Sequence, residues 1–260
     1  MNDVGFPDLG KDIPSTLYKF YSLNDESNNQ QSDINESKLT TLENQELWMA
    51  THESLNDPFE IAAFYIDYGK GYPTEFCDKL AEMLEECKKD VRIASLSSND
   101  YSSMLMWAYY ANSHKGFCVE FAVGEQHQIW QVLYTKKRYG LINAFVRYMF
   151  NEMGVSEKKD FEQLISILSK AKGEEWKNEK EYRVILRSEL VRQVSDSGGV
   201  VSFQSVGLYP KRIYLGLNCS KEHRERLEKI GASLQCPVIP LKLSETDYKM
   251  VVKDDGTSEI

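Results

Sequence analysis

The residues best suited to chemistry form a charged run around one tryptophan, Lys172-Gly173-Glu174-Glu175-Trp176-Lys177-Asn178-Glu179-Lys180-Glu181-Tyr182-Arg183-Val184-Ile185. Charge of both signs leading straight into a strand is odd for a connector, because strand starts beside a core usually carry fewer acids. In extended geometry Glu179, Glu181 and Arg183 alternate and project from one face. Such a row is either an exposed ladder of salt bridges or carboxylates and a guanidinium aimed at a ligand.

Three further segments concentrate polar and aromatic residues. In Leu17-Tyr18-Lys19-Phe20, strand alternation points Tyr18 and Phe20 one way and Lys19 the other, which suits a core strand with an exposed lysine or a site. In Ser54-Leu55-Asn56-Asp57-Pro58-Phe59-Glu60, Asn56 and Asp57 can bond their own turn. If this segment is helical, Asp57 and Glu60 share a face, as metal ligands or an acid–base pair often do. The third segment runs from Met104 to Phe121. There Met106, Trp107 and Tyr110 have helical spacing, His114 and Lys115 sit in a turn, and Glu120 shares a strand face with Cys118, where a carboxylate must reach solvent, a cation or a site. Trp107 and Trp176 read as buried scaffold.

These segments need a folded frame, and the composition supplies one. The chain has 260 residues, 42% hydrophobic and 27% charged, enough for a substantial core. A net charge of -9 repels a phosphate backbone, so non-specific nucleic-acid binding is not expected. The five cysteines include no Cys-x-x-Cys pair, and His52, His114, His127 and His223 are well separated, so zinc, redox and serine-triad chemistry lack support. Rossmann and P-loop glycine motifs are absent. No apolar run nears the roughly 18 residues of a membrane span, and the N-terminus lacks signal-peptide character, so a cytoplasmic location without membrane attachment is expected.

Periodicity predicts strands over Leu17–Tyr21, Glu46–Ala50, Val91–Leu96, Phe117–Phe121, Tyr182–Leu186, Val200–Phe203, Arg212–Leu217, Val238–Leu243 and Tyr248–Val252. It predicts helices over Glu75–Lys89, Met104–Tyr110, Leu141–Met153, Phe161–Ala171 and Lys221–Ser233. A mobile polar loop is expected over Ser22–Ser37, then a short helix carrying Leu39 and Leu42. Gly116 reads as a helix stop with positive φ available. Without a βαβ rhythm, the class is α+β: one domain over 17–253 with mixed or antiparallel sheets of short strands and helical insertions, an irregular lead-in over 1–16, and a tail over 254–260.

Taken together, Leu17-Tyr18-Lys19-Phe20, Leu47-Trp48, Asn56 to Glu60, Met106-Trp107 through Gly116 to Glu120-Phe121, and Trp176-x-x-Glu179-x-Glu181-Tyr182-Arg183 resemble the bacterial domain-of-unknown-function family 2971 over about residues 17–186. More distantly, the order of motifs is similar to that of ADP-ribosyltransferases, with Glu181-Tyr182-Arg183-Val184 in place of their late-strand glutamate. Tyr18 and Lys19 stand where a histidine is often found on their first strand.

That second resemblance implies an NAD-using transferase, in the setting of a toxin or phage-defence effector, with a protein, nucleic acid or small molecule as acceptor. Glu181 would be its catalytic carboxylate. Tyr18, Lys19, Trp48, Asn56, Asp57, Tyr110, Glu120 and Arg183 would surround the dinucleotide. The polar and aromatic character shared by Tyr18, Trp48, Asn56, Asp57, Glu120, Glu181 and Arg183 predicts that these converge on one pocket. Two alternatives stay open. One is a metal-dependent nuclease or phosphoesterase built on Asp57, Glu60, Glu179 and Glu181. The other is a ligand- or partner-binding module of a defence system without turnover.

Overall fold

A computed structural model describes residues 13–25, 29–69, 71–140 and 169–253. The first strand, β1 (Thr16–Tyr21), leads to helix α1 (Asn29–Glu43) and strand β2 (Glu46–Ala50). Next come β3 (Phe64–Tyr65), α2 (Thr74–Asp90), β4 (Val91–Ser97), α3 (Met104–Tyr110) and β5 (Phe117–Val123). Short strands β6 (Ile129–Gln131), β7 (Leu133–Thr135), β8 (Tyr139–Gly140) and β9 (Ala171–Gly173) precede β10 (Glu181–Arg187). The C-terminal part adds β11 (Arg192–Ser195), β12 (Gly198–Ser202), β13 (Leu208–Leu215), α4 (Lys221–Leu234), β14 (Val238–Leu243) and β15 (Met250–Val252).

Most strands join one mixed sheet in the order β11-β12-β2-β4-β1-β5-β13-β14-β15, with β10 on β4 and β6 on β10. Its one parallel pairing among the described residues is β13 with β14; β3 with β8 and β7 with β9 form separate parallel pairs. The α+β class expected from the sequence is the one observed.

Strand alternation sorts the sheet into two faces. Leu17, Leu47, Ala94, Leu96, Phe121, Val184 and Ile213 point to the main core, which Leu39 and Leu42 of α1 and Leu227 and Ile230 of α4 close. The opposite face has two smaller clusters. Val91 and Ile93 pack on Cys77, Leu80 and Leu84 of α2, and Phe20, Cys118 and Tyr214 pack on Met106 and Trp107 of α3.

The sheet forks at β4. Strand β10 pairs along the whole of β4, from Glu181↔Ser97 to Arg187↔Val91, and so occupies one edge. The other edge is shared: β2 meets it at Ala50↔Ile93 and β1 meets it at Tyr18↔Ser97. Between those two points β1 and β2 diverge, and the edge of β4 around Ser95 opens into a cavity.

Several expectations are corrected. The predicted loop over Ser22–Ser37 holds most of a 15-residue helix, α1. Its polar surface hid it from periodicity, and tertiary contacts hold it: Arg226 of α4 bonds Glu36 and Glu43, and buried Asn35 bonds both the N–H and the carbonyl of Asn24. On α2, Phe76 and Met83 face solvent, while Cys77, Leu80 and Leu84 carry the buried stripe. Gly116 is required by space, because a Cβ there would lie 1.8 Å from the Tyr21 carbonyl oxygen; the positive φ angles belong to Asn112, Ser113 and His114. Strands β3, β6, β7, β8, β9 and β11 are too short or too polar to show a period. The helix predicted over 141–153 lies outside the described residues, as does most of that over 161–171, whose last residue Ala171 begins β9.

Candidate active site

The cavity in the fork holds about 430 Å³, within the range of small-molecule sites. Its walls come from both arms of the fork, with Lys19 on β1 and Trp48 on β2, and from Ser95 on the bare edge of β4. Asn56 and Glu60 of the β2–β3 connection, Tyr110 of α3, and Lys172, Glu179 and Glu181 complete it.

The charged floor follows from a reversal in the chain. Lys172 lies on β9, residues Glu174–Glu179 form a 3-10 turn, and Lys180 takes a left-handed conformation with φ 45° before β10 begins at Glu181. Glu179 is therefore not part of the strand, contrary to the expected three-residue ladder. The reversal brings both glutamates onto one ammonium: Lys172 Nζ donates to Glu179 Oε2 at 2.6 Å and to Glu181 Oε2 at 2.8 Å. The same ammonium sits 4.8 Å from the centroid of the half-buried Trp176 ring.

Glu181 is only 3% exposed, and each of its oxygens has two donors. Oε1 accepts from Ser95 Oγ at 2.6 Å and Arg183 Nε at 2.7 Å; Oε2 accepts from Lys172 and, at 3.3 Å, from an Arg183 terminal nitrogen. Its backbone N–H donates to the Tyr134 hydroxyl at 2.8 Å. Burial alone would raise its pKa, but Arg183 and Lys172 outweigh burial and lower it to about 2, so the carboxylate is ionised.

Arg183 lies fully buried beneath Glu181, with its remaining donors directed to the Glu60 carboxylate and the Ser169 carbonyl. All five guanidinium N–H groups are used. At Glu60 burial prevails over Arg183, and its pKa is raised. Lys172 shows the reverse balance: burial would lower its pKa, but Glu181 and Glu179 raise it.

Lys19 starts from the core-facing side of β1 and turns its ammonium into the fork, where it donates to the Ser95 carbonyl at 2.9 Å. It is partly buried rather than the exposed lysine of a simple core strand. Burial lowers its pKa to about 8, with Glu181 pulling the other way.

Two aromatic residues complete the walls. Tyr110 donates from its hydroxyl to Glu179, and Asn56 Nδ2 stands 3.5 Å from the same hydroxyl. Trp48 packs against Gly198, where a Cβ would meet its indole at 2.8 Å and the Met49 carbonyl at 2.3 Å.

Convergence of the predicted residues is thus partial. Lys19, Trp48, Asn56, Tyr110 and Glu181 line the cavity, and Arg183 supports its floor. Tyr18 and Glu120 face each other across β1 and β5, but Glu120 is taken up by Arg212 and Tyr214, each at 2.7 Å. Burial, then Glu120, pushes the Tyr18 phenol up to about 12. Asp57 is 4% exposed and accepts the Phe59 N–H at 2.9 Å within its own turn. The carboxylate set needed for a divalent cation therefore lacks Asp57, and its other members are held by Arg183 and Lys172. Among the described residues, no group of three His, Cys, Asp or Glu is arranged to hold a metal. Sequence reasoning did not single out Lys172 or Ser95. The one available signal for Ser95 was a polar residue recurring with Ser97 at alternate positions of a strand that is apolar from Ile93 apart from these two.

No curated protein and no solved structure matches the chain. Residues 106–184, from Met106 in the cavity wall to Val184 just past Arg183, match the family model described as protein of unknown function (DUF2971), the family expected from the sequence.

Proposed function

We propose that the chain is an ADP-ribosyltransferase-like enzyme that uses NAD as a substrate and transfers its ADP-ribose to an acceptor. The observation that carries this reading is a buried carboxylate, Glu181, held by Arg183 and Lys172 at the floor of a cavity walled by Trp48 and Tyr110, with the Lys19 ammonium at its edge.

In that reaction the bond between the ribose carbon and the nicotinamide nitrogen breaks, and its electron pair leaves with nicotinamide. Positive charge develops on the ribose, and a fixed buried carboxylate stabilises it without reorganising. Because the two oxygens of Glu181 are already saturated, a ribose hydroxyl would have to replace one donor. Ser95 Oγ, the only uncharged side-chain donor to Glu181 among the described residues, is the contact to replace. Lys19 would pair with the phosphates, and Trp48 or Tyr110 would stack on a flat ring. As the acceptor bonds to the ribose carbon it loses a proton, which Glu179 can accept through Tyr110. The acceptor can be a protein, a nucleic acid or a small molecule.

Saturation of Glu181 is also the specific observation favouring a second reading, a ligand-binding module without turnover. Calorimetry with NAD, together with nicotinamide release over a panel of acceptors in the presence of a chelator, tests both. The transferase binds NAD and releases nicotinamide despite the chelator. A module binds without release, and protein that neither binds NAD nor releases nicotinamide counts against the proposal.

A further inference from the structure

The connection between β2 and β3 is fastened at three points around the cavity. At its start Ser54 Oγ donates to the Ser197 carbonyl at 3.0 Å, and the Thr51 N–H donates to the same oxygen at 2.9 Å. Midway, Asn56 crosses to Tyr110 on α3. At its end the buried Glu60 carboxylate grips Arg183, the guanidinium that also holds Glu181. The next residue, Ile61, is fully buried with φ 51°. A β-branched residue in the left-handed region is strained and persists only where its surroundings hold it.

We infer that residues 51–61 form a strap across the cavity, latched by Glu60 on Arg183, and that releasing the latch admits anionic ligands to the Glu181 site. The latch follows from the contacts alone, whereas the ligand half rests on the NAD reading above. Three carboxylates, Glu60, Glu179 and Glu181, share the two buried cations Arg183 and Lys172. When Glu60 swings away, one negative charge leaves the cavity wall, and the strain at Ile61 favours the movement. Glu60 is a positioning residue: it acts on Glu181 through Arg183. By linkage, a ligand that favours the released state is bound more tightly by a protein whose latch is weakened.

Hydrogen exchange on the full chain reads the latch directly, since among the described residues the amides of Ser54 and Glu60 in the strap, and of Ala62 just beyond it, are bonded only within the connection. With Glu60→Gln, exchange of amides 54–62 should rise about 10-fold or more while β4 and β10 amides keep their rates. Inorganic pyrophosphate should bind this variant about 10-fold more tightly than wild type, and at saturation it should raise exchange of the same amides in wild type. Should Glu60→Gln fail to fold, Asn56→Ala, which releases only the midpoint, should speed exchange over 54–57 about 3-fold. Unchanged strap exchange, or an equal rise in β4 and β10, overturns the latch. Altered strap exchange with pyrophosphate binding unchanged or absent overturns the ligand half, and leaves the NAD reading to be judged by nicotinamide release.

Discussion

Arg183 donates from Nε to Glu181 Oε1 across 2.7 Å, although the two residues stand at alternate positions of a single strand. Neighbours on one strand face lie too far apart for short side chains to touch, so the length of the arginine and the absence of solvent make this contact. It fixes the charge and the orientation of the carboxylate proposed to act in the cavity.

Replacing Arg183 by methionine should be severe. It takes the guanidinium from two buried carboxylates, Glu60 and Glu181, of which Glu181 keeps Lys172, and breaking a buried ion pair costs about 3–5 kcal/mol. Urea unfolding should show this loss. A change under about 1 kcal/mol would mean that the network is looser than its geometry.

Glu181 makes stability depend on acidity. Its folded-state pKa lies below the unfolded value, so its contribution is fully present above the ordinary carboxylate range. It is lost as pH falls from about 4.5 through about 2. The denaturant midpoint of wild type should drop across this window, and Glu181→Gln should remove that part of the slope. Parallel profiles would contradict the assignment.

Lys19 acts in the alkaline range. Its pKa is lowered to about 8, so from there to about 10.5 the unfolded chain binds a proton that the folded chain does not, and stability rises with pH. Thermal unfolding of Lys19→Met should lack this rise. A wild-type profile flat over the same window would show an ammonium less desolvated than its position in the fork implies.

Trp107 anchors α3, and through it Tyr110. It has no exposed surface, donates from Nε1 to the Tyr101 carbonyl at 2.8 Å and meets Phe20 edge-on. Truncation to alanine should cost about 3–5 kcal/mol in denaturant unfolding. Unchanged stability with lost ligand binding would move Trp107 into the site.

Strands β2 and β14 were legible to the residue, as was α3, because each is a largely apolar run bounded by polar or turn-forming residues. Only the second half of helix α1, which buries Leu39 and Leu42, was legible; its first half is held by Asn35 and by Arg226 of α4, far away in sequence. In the site, the charged run around Trp176 supplies Lys172, Glu179 and Glu181, which meet at the cavity floor. The part played by Lys172 depends on a left-handed Lys180, which no local propensity announces. Asp57 shows the opposite error: its sequence context suits a ligand and a turn equally, and its carboxylate serves the turn.

The central claim rests on Glu181, and its most direct test is nicotinamide release by Glu181→Gln compared with wild type under saturating NAD. Loss of one preformed electrostatic contact to a transition state commonly costs on the order of 100-fold or more. The account therefore predicts a fall of that size with NAD affinity retained. Equal rates of release in the two proteins would contradict it.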